Sequence, residues 1–309
     1  IISSTYFNSG FITKLNSLGN LLWSRRLSVF DFNNPNNDYN NQYSYSSVRD
    51  VITDSSNNVY VVGSASTSMM PSSSDVDSGL SPFIVKYDVN GNIQWQKEYN
   101  TEGFPASQRN FYADYIEIDS SDNLYVLKRS QRSSTTAFSK GRYAVLTKYN
   151  TSGIVQWSMD IVSSTYTEIR SIDDLKIDSS DNAYILTTAM LNATSGYVVL
   201  ITKINSSGVK QWSKILSSTY NLYAGSMEII SNQLYISFHR SQSATWGGRS
   251  MLIKMNIDGT TNFVDAVSTI NLQNDTSVSV ASTTYILSNC GLSTSASAFD
   301  LTNSPNFLS

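Results

Sequence analysis

The side chains most often used in catalysis and metal binding are scarce in this chain. It contains one histidine, His239, and one cysteine, Cys290, so it cannot form an internal disulfide or a Cys/His metal cage. A catalytic His239 would need a nucleophile or a carboxylate converging on it. The tripeptide Arg240-Ser241-Gln242 beside it repeats Arg129-Ser130-Gln131, which favours an inherited repeat over a catalytic histidine.

Clusters of acidic residues are the remaining candidates for chemistry. The DSSDN segments at 119–123 and 178–182 could offer oxygen ligands to calcium, but the equivalent segment 54–58 reads DSSNN. A hairpin turn tolerates that change, whereas a calcium site does not. Asp173 and Asp174 could supply an acid/base pair, although neighbouring residues of a strand point to opposite faces. We therefore predict no catalytic residue, no metal site and no cofactor.

Composition excludes several classes of protein. The 309 residues carry a net charge of −3, with only 15% charged side chains and 12% aromatic ones. A general nucleic-acid binder needs a basic excess, and the cationic loop at Arg129, Arg132, Lys140 and Arg142 is too small to supply one. The apolar run 197–204 has the length of a strand and is far shorter than a membrane helix. We therefore predict neither nucleic-acid binding nor membrane insertion.

A short motif recurs five times without a gap. Each copy has a lysine, then Asn or Asp two residues later, glycine after five residues and an aromatic residue after nine. The Asx side chain can start a turn, and the glycine supplies the positive φ that closes it. The pattern predicts a β-hairpin in which all of these residues are structural: Lys14/Gly19/Trp23, Lys86/Gly91/Trp95, Lys148/Gly153/Trp157, Lys203/Gly208/Trp212 and Lys254/Gly259/Phe263.

A second hairpin alternates with the first, at 50–64, 114–128, 173–187, 226–238 and 278–288. Two hairpins together make a four-stranded unit. Successive lysines of the first motif lie 72, 62, 55 and 51 residues apart, so the unit has a constant core and connections of variable length. This pattern is typical of β-propeller blades. A β-solenoid is the alternative, although its coils are shorter and more regular.

The two motifs, D-S-S-D/N-N-x-Y and K-x-N-x-x-G-x-x-x-W, resemble the repeats of β-propellers: the seven-bladed propeller repeat family and its quinoprotein-like and NHL-like relatives. Similar repeats, rich in Asn and Ser, occur in bacterial surface proteins and in structural and tail proteins of phages. The resemblance covers roughly residues 11–288. It implies an all-β propeller of four-stranded antiparallel blades, about six in number, with five or seven as alternatives. We expect one domain over 1–309, with 291–309 as a degenerate last blade or closing strand, and the chain to be processed or part of a longer one.

Long connections are predicted at one end of every blade and short turns at the other. The long ones are rich in Tyr, Asn and Ser, a mixture that is also found in antibody binding sites. Tyrosines that merely pack these connections onto the scaffold are the alternative interpretation. The candidate binding residues are Tyr39, Tyr43, Tyr45, Phe104, Phe111, Tyr112, Tyr166, Tyr220, Tyr223 and Trp246.

The resemblance and the composition together favour a non-enzymatic structural or recognition module of a virion, such as a phage tail or surface appendage. Its expected partners are other protein subunits of a larger assembly or a surface glycan. A secreted or cell-surface bacterial adhesion propeller is the first alternative, and either assignment places the chain on a virion or outside the cell. A glycan-active enzyme with acid/base residues in the central channel is the alternative from another class. An enzyme should show converging carboxylates with shifted pKa values.

Overall fold

The computed structural model shows an all-β protein built from antiparallel sheets, and this part of the prediction is confirmed. The described residues contain no helix, and so none that could cross a membrane. The structure describes residues 2–6, 9–29, 45–66, 81–99, 111–132, 141–163, 165, 168–190, 196–241, 248–261, 263–265, 270–282, 287–289 and 292–296.

Twenty-three strands are present in the described residues. Those of the repeated part are β1 (Ile2–Tyr6), β2 (Ser9–Leu15), β3 (Leu21–Val29), β4 (Tyr45–Thr53), β5 (Val59–Ser66), β6 (Ser81–Tyr87), β7 (Ile93–Tyr99), β8 (Phe111–Ile118), β9 (Leu124–Arg132), β10 (Gly141–Tyr149), β11 (Val155–Ser163), β12 (Glu168–Ile177), β13 (Ala183–Met190), β14 (Tyr197–Ile204), β15 (Lys210–Ser217), β16 (Asn221–Ile230), β17 (Gln233–Ser241) and β18 (Arg249–Asn256). The C-terminal strands are β19 (Phe263–Asp265), β20 (Ile270–Asn274), β21 (Val278–Ser282), β22 (Leu287–Asn289) and β23 (Leu292–Ala296).

Consecutive strands of the repeated part form five meanders, which we number in chain order. The first is β1–β3, the second to fourth are the four-stranded units β4–β7, β8–β11 and β12–β15, and the fifth is β16–β18. No sheet in the described part of the chain closes on itself. Both predicted hairpins form in the second, third and fourth sheets. The Lys-motif hairpin also forms in the first sheet, between β2 and β3, and the predicted hairpin 226–238 forms in the fifth, between β16 and β17.

The turns use the side chains that the motifs predict. Asp54 Oδ1 accepts the backbone N–H of Ser56 at 3.0 Å and that of Asn58 at 2.8 Å. Asp88 Oδ1 does the same for Asn90 and Asn92 in the other hairpin of this sheet. We call the turns at 54–58, 119–123 and 178–182 the Asp-motif turns. Their left-handed residues are Asn57, Asp122 and Asp181, and Asn and Asp tolerate this conformation.

Neighbouring sheets pack face to face through four apolar clusters, one at each junction. Between the second and third sheets, for example, Val62 and Ile84 pack with Ile116 and Val126, and all four are fully or almost fully buried. The second, third and fourth sheets thus bury both faces, whereas the first and fifth sheets have a neighbour on one face only among the described residues. A single antiparallel sheet could not bury its faces alone.

The repeated tryptophan joins one sheet to the next at the first three junctions. Each indole N–H donates to a backbone carbonyl in the Lys-motif turn of the following sheet: Trp23 Nε1 to Val89 O at 3.0 Å, Trp95 Nε1 to Thr151 O at 3.1 Å, and Trp157 Nε1 to Ser206 O at 3.0 Å. These bonds connect residues that are 49 or more positions apart in the chain. The tryptophan therefore orients the neighbouring sheet as well as its own.

The glycine of each Lys-motif turn lies against the indole of the preceding sheet. A Cβ on Gly91 would come within 2.7 Å of Trp23 Cδ2, and one on Gly153 within 3.2 Å of the Trp95 ring. Gly208 is enclosed more by Met159, whose Cε would be 2.6 Å from the added Cβ, while Trp157 Cδ2 would be 3.3 Å away. All three glycines have positive φ, between 74° and 84°. The glycine therefore provides both the left-handed conformation and the space for the ring.

The fourth junction keeps the packing of this contact but not its hydrogen bond. A Cβ on Gly259, whose φ is 75°, would come within 2.8 Å of Trp212 Cε2. However, the buried Trp212 Nε1 has no hydrogen-bond acceptor among the described residues. The Trp212 ring packs on Tyr184 of its own sheet, with the ring centres 5.9 Å apart. Trp212 thus differs from the three earlier tryptophans, although its motif has the same spacing.

The fifth Lys motif forms its turn without the predicted hairpin, so the prediction is wrong there. The Gly259 N–H donates to Asn256 O at 3.2 Å, as in the other copies. The short strand β19, which contains Phe263, then pairs with β20 and not with β18. Lys254 lies 5.5 Å from the centre of the Tyr235 ring. The local turn is therefore retained while the strand that should follow it joins another sheet.

The C-terminal strands depart from the sequence-based expectation. The predicted hairpin 278–288 does not form: β21 pairs with β11 and β22 pairs with β7, in different sheets. Likewise β20 pairs with β15, and β23 with β3. The chain after residue 269 thus adds one strand to the last strand of four sheets in turn, going back from the fourth sheet to the first.

Removal of residues 270–309 is expected to expose the last-strand edges of four sheets and to remove Ile270, Leu272 and Val278 from two apolar clusters. Unpaired edges favour association, and losing three buried aliphatic side chains should cost about 4 kcal/mol or more. Denaturant unfolding and sedimentation measure the two effects. A truncation after Ala296, which keeps all four strands, is the control. An equally stable, monomeric short form would contradict the importance of these pairings.

Gly91→Ala is expected to destabilise the protein more than Gly19→Ala. Both glycines have positive φ, 77° and 81°, but a Cβ on Gly19 meets no atom within 4 Å. The left-handed conformation alone should cost about 1–2 kcal/mol, and displacement of Trp23 should add about 1–3 kcal/mol for Gly91 only. Equal losses of unfolding free energy would show that the indole contact with the turn contributes little.

Candidate functional site

The strand ends that precede the long connections and those that precede the short turns lie at opposite ends of the sheets, because the strands are antiparallel. The short turns of neighbouring sheets contact each other: Ser55 Oγ donates to Asp122 Oδ2 at 2.6 Å, and Ser120 Oγ to Asp181 Oδ2 at 3.0 Å. The opposite ends of these sheets consequently also share one side. We call that side the long-connection end.

The glycines of the Lys motif belong to the short-turn end and contribute nothing to the long-connection end. Gly153, Gly208 and Gly259 each close a short turn by donating a backbone N–H to the Asn three residues earlier. Trp212 packs against the last of these turns. These residues join neighbouring sheets, whereas the predicted binding residues belong to the long-connection end.

The ten candidate binding residues divide into three groups. Tyr112, Tyr220 and Tyr223 have described side chains, all half-buried at the long-connection end. Tyr45 and Phe111 lie in β4 and β8, and the structure describes only their backbone. The others lie outside the described residues: Tyr39, Tyr43, Phe104, Tyr166 and Trp246.

Two of these tyrosines are covered by arginines. The Arg129 guanidinium carbon lies 4.9 Å from the centre of the Tyr112 ring, and that of Arg240 lies 4.5 Å from the centre of the Tyr220 ring. Both arginines come from the repeated Arg-Ser-Gln tripeptide at the end of β9 and β17. A guanidinium stacked on a ring keeps its planar edge for hydrogen bonds to carboxylate or phosphate-like groups.

A second aromatic pair lies between the fourth and fifth sheets. The rings of Tyr197 and Tyr223 are 5.1 Å apart at an angle of 39°, and Asn221 Oδ1 accepts the Tyr197 N–H at 2.9 Å. Burial and the Tyr197 ring raise the pKa of Tyr223, so its hydroxyl stays protonated at neutral pH. His239 lies opposite Tyr223 across the strand pair, is exposed, and packs against Gly248.

More cations lie at the same strand ends as this aromatic pair. Arg249 is the direct cross-strand partner of Arg240. Arg170 is the extra residue of a β-bulge in β12, is exposed, and acts electrostatically on Tyr223. Glu168, two residues earlier, is half-buried on the same strand end. Among the described residues, this corner thus has three guanidinium groups and one carboxylate.

The acidic residues of the first strands mainly connect neighbouring sheets. Asp50 Oδ2 accepts the Ile116 N–H of the next sheet at 2.9 Å, and Asp174 Oδ2 accepts the Met227 N–H at 2.6 Å. Burial raises the pKa of both carboxyls, and these hydrogen bonds oppose the shift. Each carboxylate is therefore occupied by a backbone donor.

Asp173 and Glu117 have partners as well. Asp173 is the extra residue of a second bulge, and its Oδ2 accepts the Thr188 hydroxyl at 2.8 Å. Burial raises the pKa of Asp173 to about 6. Lys176 Nζ lies 3.0 Å from Glu117 Oε1 and 3.9 Å from Asp174 Oδ1, and burial likewise raises the pKa of Glu117.

In the Asp-containing turn of the third sheet, hydrogen bonds and an ion pair hold the Asp119 carboxylate. Asp119 accepts from Ser121 N, Asn123 N and the Asn123 amide, and Lys148 Nζ lies 2.8 Å from its Oδ2. Although burial disfavours its charge, these donors lower the pKa of Asp119. Lys148 also lies 4.8 Å over the Tyr125 ring. No group of three or more metal-ligating side chains occurs in the described part of the chain.

The motif lysines of the second and fourth sheets have the same surroundings. Lys86 lies 3.7 Å from Asp54 Oδ2 and 4.9 Å over the Tyr60 ring. Lys203 lies 3.8 Å from Asp178 Oδ2, and its ammonium is 4.9 Å from the centre of a tyrosine ring in the same sheet. Each lysine thus links the two hairpins of one sheet.

Sequence reasoning did not include the arginines or Tyr197 among the binding residues. The repeated Arg-Ser-Gln tripeptide was the available signal for Arg129 and Arg240. Arg170 and Tyr197 have no such signal, because a bulge and a contact between two sheets bring them to the corner.

Comparison of the sequence with protein-family models found no match. No curated protein matches the chain either.

The unfolding free energy is expected to rise as the pH falls from 7 to about 4.5. Asp173 has a folded pKa of about 6, above the unfolded value of 3.8, so its protonated form favours the folded state, and this stabilisation is lost as pH rises through 6. Asp173→Asn should raise the unfolding free energy at pH 7 by up to about 3 kcal/mol. It should also weaken the dependence of the unfolding free energy on pH.

Asp54→Asn is the control with the opposite sign. Burial opposes ionisation of Asp54, but hydrogen bonds from Asn58 lower its pKa overall. The ionised Asp54 therefore stabilises the folded state above pH 3.8, and this stabilisation is lost in acid. This variant should lose stability at pH 7. An unchanged pH profile in Asp173→Asn, measured by denaturant unfolding, would contradict the assignment.

Proposed function

We propose that this chain is a non-enzymatic structural or recognition module of a virion, a phage tail or a related surface appendage. It binds a partner protein or a glycan through the long-connection end. Secreted or cell-surface bacterial adhesion is the alternative within the same class. The virion assignment comes from the resemblance of the Asn- and Ser-rich repeats.

The proposed fold is a β-propeller of about six blades. Three four-stranded meanders, flanked by two three-stranded ones, supply five candidate blades with the same strand order. First strands of successive sheets contact each other, as strands near a propeller axis do. The C-terminal strand β23 pairs with the last strand of the first sheet, so that sheet contains strands from both ends of the chain.

The stacking of arginine on tyrosine at the long-connection end is the observation that supports binding. It occurs in two sheets, with Arg129 on Tyr112 and Arg240 on Tyr220. Tyrosine gives a large contact area at low entropic cost, and arginine adds directional hydrogen bonds. Both residue types are enriched where interfaces gain most of their binding energy.

A glycan-active enzyme is the second candidate, and the raised pKa of Asp173, about 6, is the observation that favours it. General acid catalysis requires such a value near the working pH. However, the Asp173 carboxylate accepts the Thr188 hydroxyl, and Asp50 and Asp174 accept backbone N–H groups of the next sheet. The partners of Asp50 and Asp174 support a role in joining sheets, and Thr188 holds the Asp173 carboxylate within its own sheet. These contacts favour the binding module.

The test compares two triple variants on a glycan array and on intact host cells. Tyr112→Ala/Tyr220→Ala/Tyr223→Ala alters the long-connection end, and Leu18→Ala/Ile154→Ala/Val209→Ala alters exposed aliphatic residues at the short-turn end. We expect the first to lose at least tenfold in affinity and the second to keep its binding. Circular dichroism of both verifies folding.

Equal binding by the two triple variants would exclude the long-connection end as the site. Hydrolysis of a bound glycan that disappears in Asp173→Asn would instead establish the enzyme. Antibody labelling of purified particles in electron microscopy tests the virion assignment separately.

A further inference from the structure

We propose that the corner between the fourth and fifth sheets binds an acidic polysaccharide, with Arg170, Arg240 and Arg249 holding its anionic groups and Tyr197 and Tyr223 contacting its sugar rings. This inference deepens the proposed binding function and rests on it. Arg170, Arg240 and Arg249 are called the arginine corner below.

The first argument is the concentration of like charge. Arg240 and Arg249 are direct partners in adjacent antiparallel strands, so their side chains leave the same face of the sheet and repel each other. Arg170 adds a third positive charge from the bulge in β12, and Glu168 of the same strand end contributes one negative charge. The whole chain is acidic, with a net charge of −3. An anion between these groups would convert the repulsion into attraction.

The second argument is preorganisation. Arg240 lies 4.5 Å over the Tyr220 ring, which restricts the guanidinium. A planar guanidinium recognises carboxylate or sulfate through two parallel hydrogen bonds. Because this arginine is already ordered, less side-chain entropy is lost on binding.

The third argument is the neighbouring aromatic surface. The Tyr197 and Tyr223 rings are 5.1 Å apart and half-buried, and the exposed His239 lies across the strand pair from Tyr223. An acidic sugar has both an anion for the arginines and an apolar ring face for the tyrosines. An acidic peptide has the charge without the rigid ring.

The fourth argument is repetition along the same end. Arg129 stacks on Tyr112 in the third sheet, and the backbone positions of Arg132 and Arg142 lie at that same strand end. A polymer with anionic groups at regular intervals can contact both places with one chain, which raises its avidity without new contacts.

The experiment measures binding of the full chain by calorimetry at several salt concentrations. The probes are polygalacturonate, which carries carboxylates, heparin, which carries sulfates, neutral dextran, and poly-L-glutamate. Arg240→Gln/Arg249→Gln and Arg170→Gln test the arginine corner. Lys14→Gln/Arg26→Gln removes two charges from the first sheet as the matched control, and thermal unfolding of each variant verifies folding.

We expect tighter binding to polygalacturonate or heparin than to dextran or poly-L-glutamate. Comparison of polygalacturonate with heparin shows whether the site prefers carboxylate or sulfate. The double arginine variant should lose at least tenfold in affinity, with a smaller salt dependence, and Arg170→Gln about threefold or more. The control should change by less than twofold.

Three results would overturn the inference: no binding to either acidic polysaccharide, equal binding of poly-L-glutamate, or undiminished affinity in the double arginine variant. If the tyrosine triple variant still loses binding to another glycan or protein in those cases, the proposed function stands without the arginine corner. If the tyrosine triple variant also keeps its full binding affinity, both the proposed function and the arginine corner are wrong.

Discussion

The contact between the tryptophan of one sheet and the Lys-motif turn of the next is the interaction on which the architecture depends. It combines a hydrogen bond from the indole N–H with close packing on a glycine, as in Trp23 with Val89 O and Gly91. Three such hydrogen bonds occur, at the first three junctions of the five sheets. At the fourth junction Trp212 keeps only the packing on Gly259. Because the two partners belong to different sheets, each sheet orients its neighbour and an error in one turn affects two of them.

Polar groups reinforce the same order on the other strands. The Asp-motif turns contact one another through Ser55 with Asp122 and Ser120 with Asp181, and the first strands do so through Asp50 and Asp174. The short-turn end and the first strands are therefore committed to joining sheets. The long-connection end has no such repeated constraint in the described residues, so its residues can differ from sheet to sheet. This division places the arginines and tyrosines at that end.

Local turn chemistry made much of the fold predictable. The Asx residues and glycines of the Lys motif specify hairpins through bonds within five residues, such as Asp88 with Asn90 and Asn92. The C-terminal part was predicted wrongly because the hydrophobic alternation of 278–288 is the same whether its two strands pair together or with distant edges. In the structure they pair with β11 and β7, and nothing local distinguishes these outcomes.

The all-β class, the repeated hairpins, the turn residues and the scarcity of catalytic side chains are predictable from the sequence, since all of these follow from residue type and spacing. The sheets that the C-terminal strands join, and the side chains that meet at the corner, are known only from the three-dimensional packing. Arg170 reaches the corner through a bulge, and Tyr197 contacts Tyr223 of the next sheet. The reason is physical: a turn forms from neighbouring residues, whereas a site between sheets depends on how strands distant in the chain pack and align.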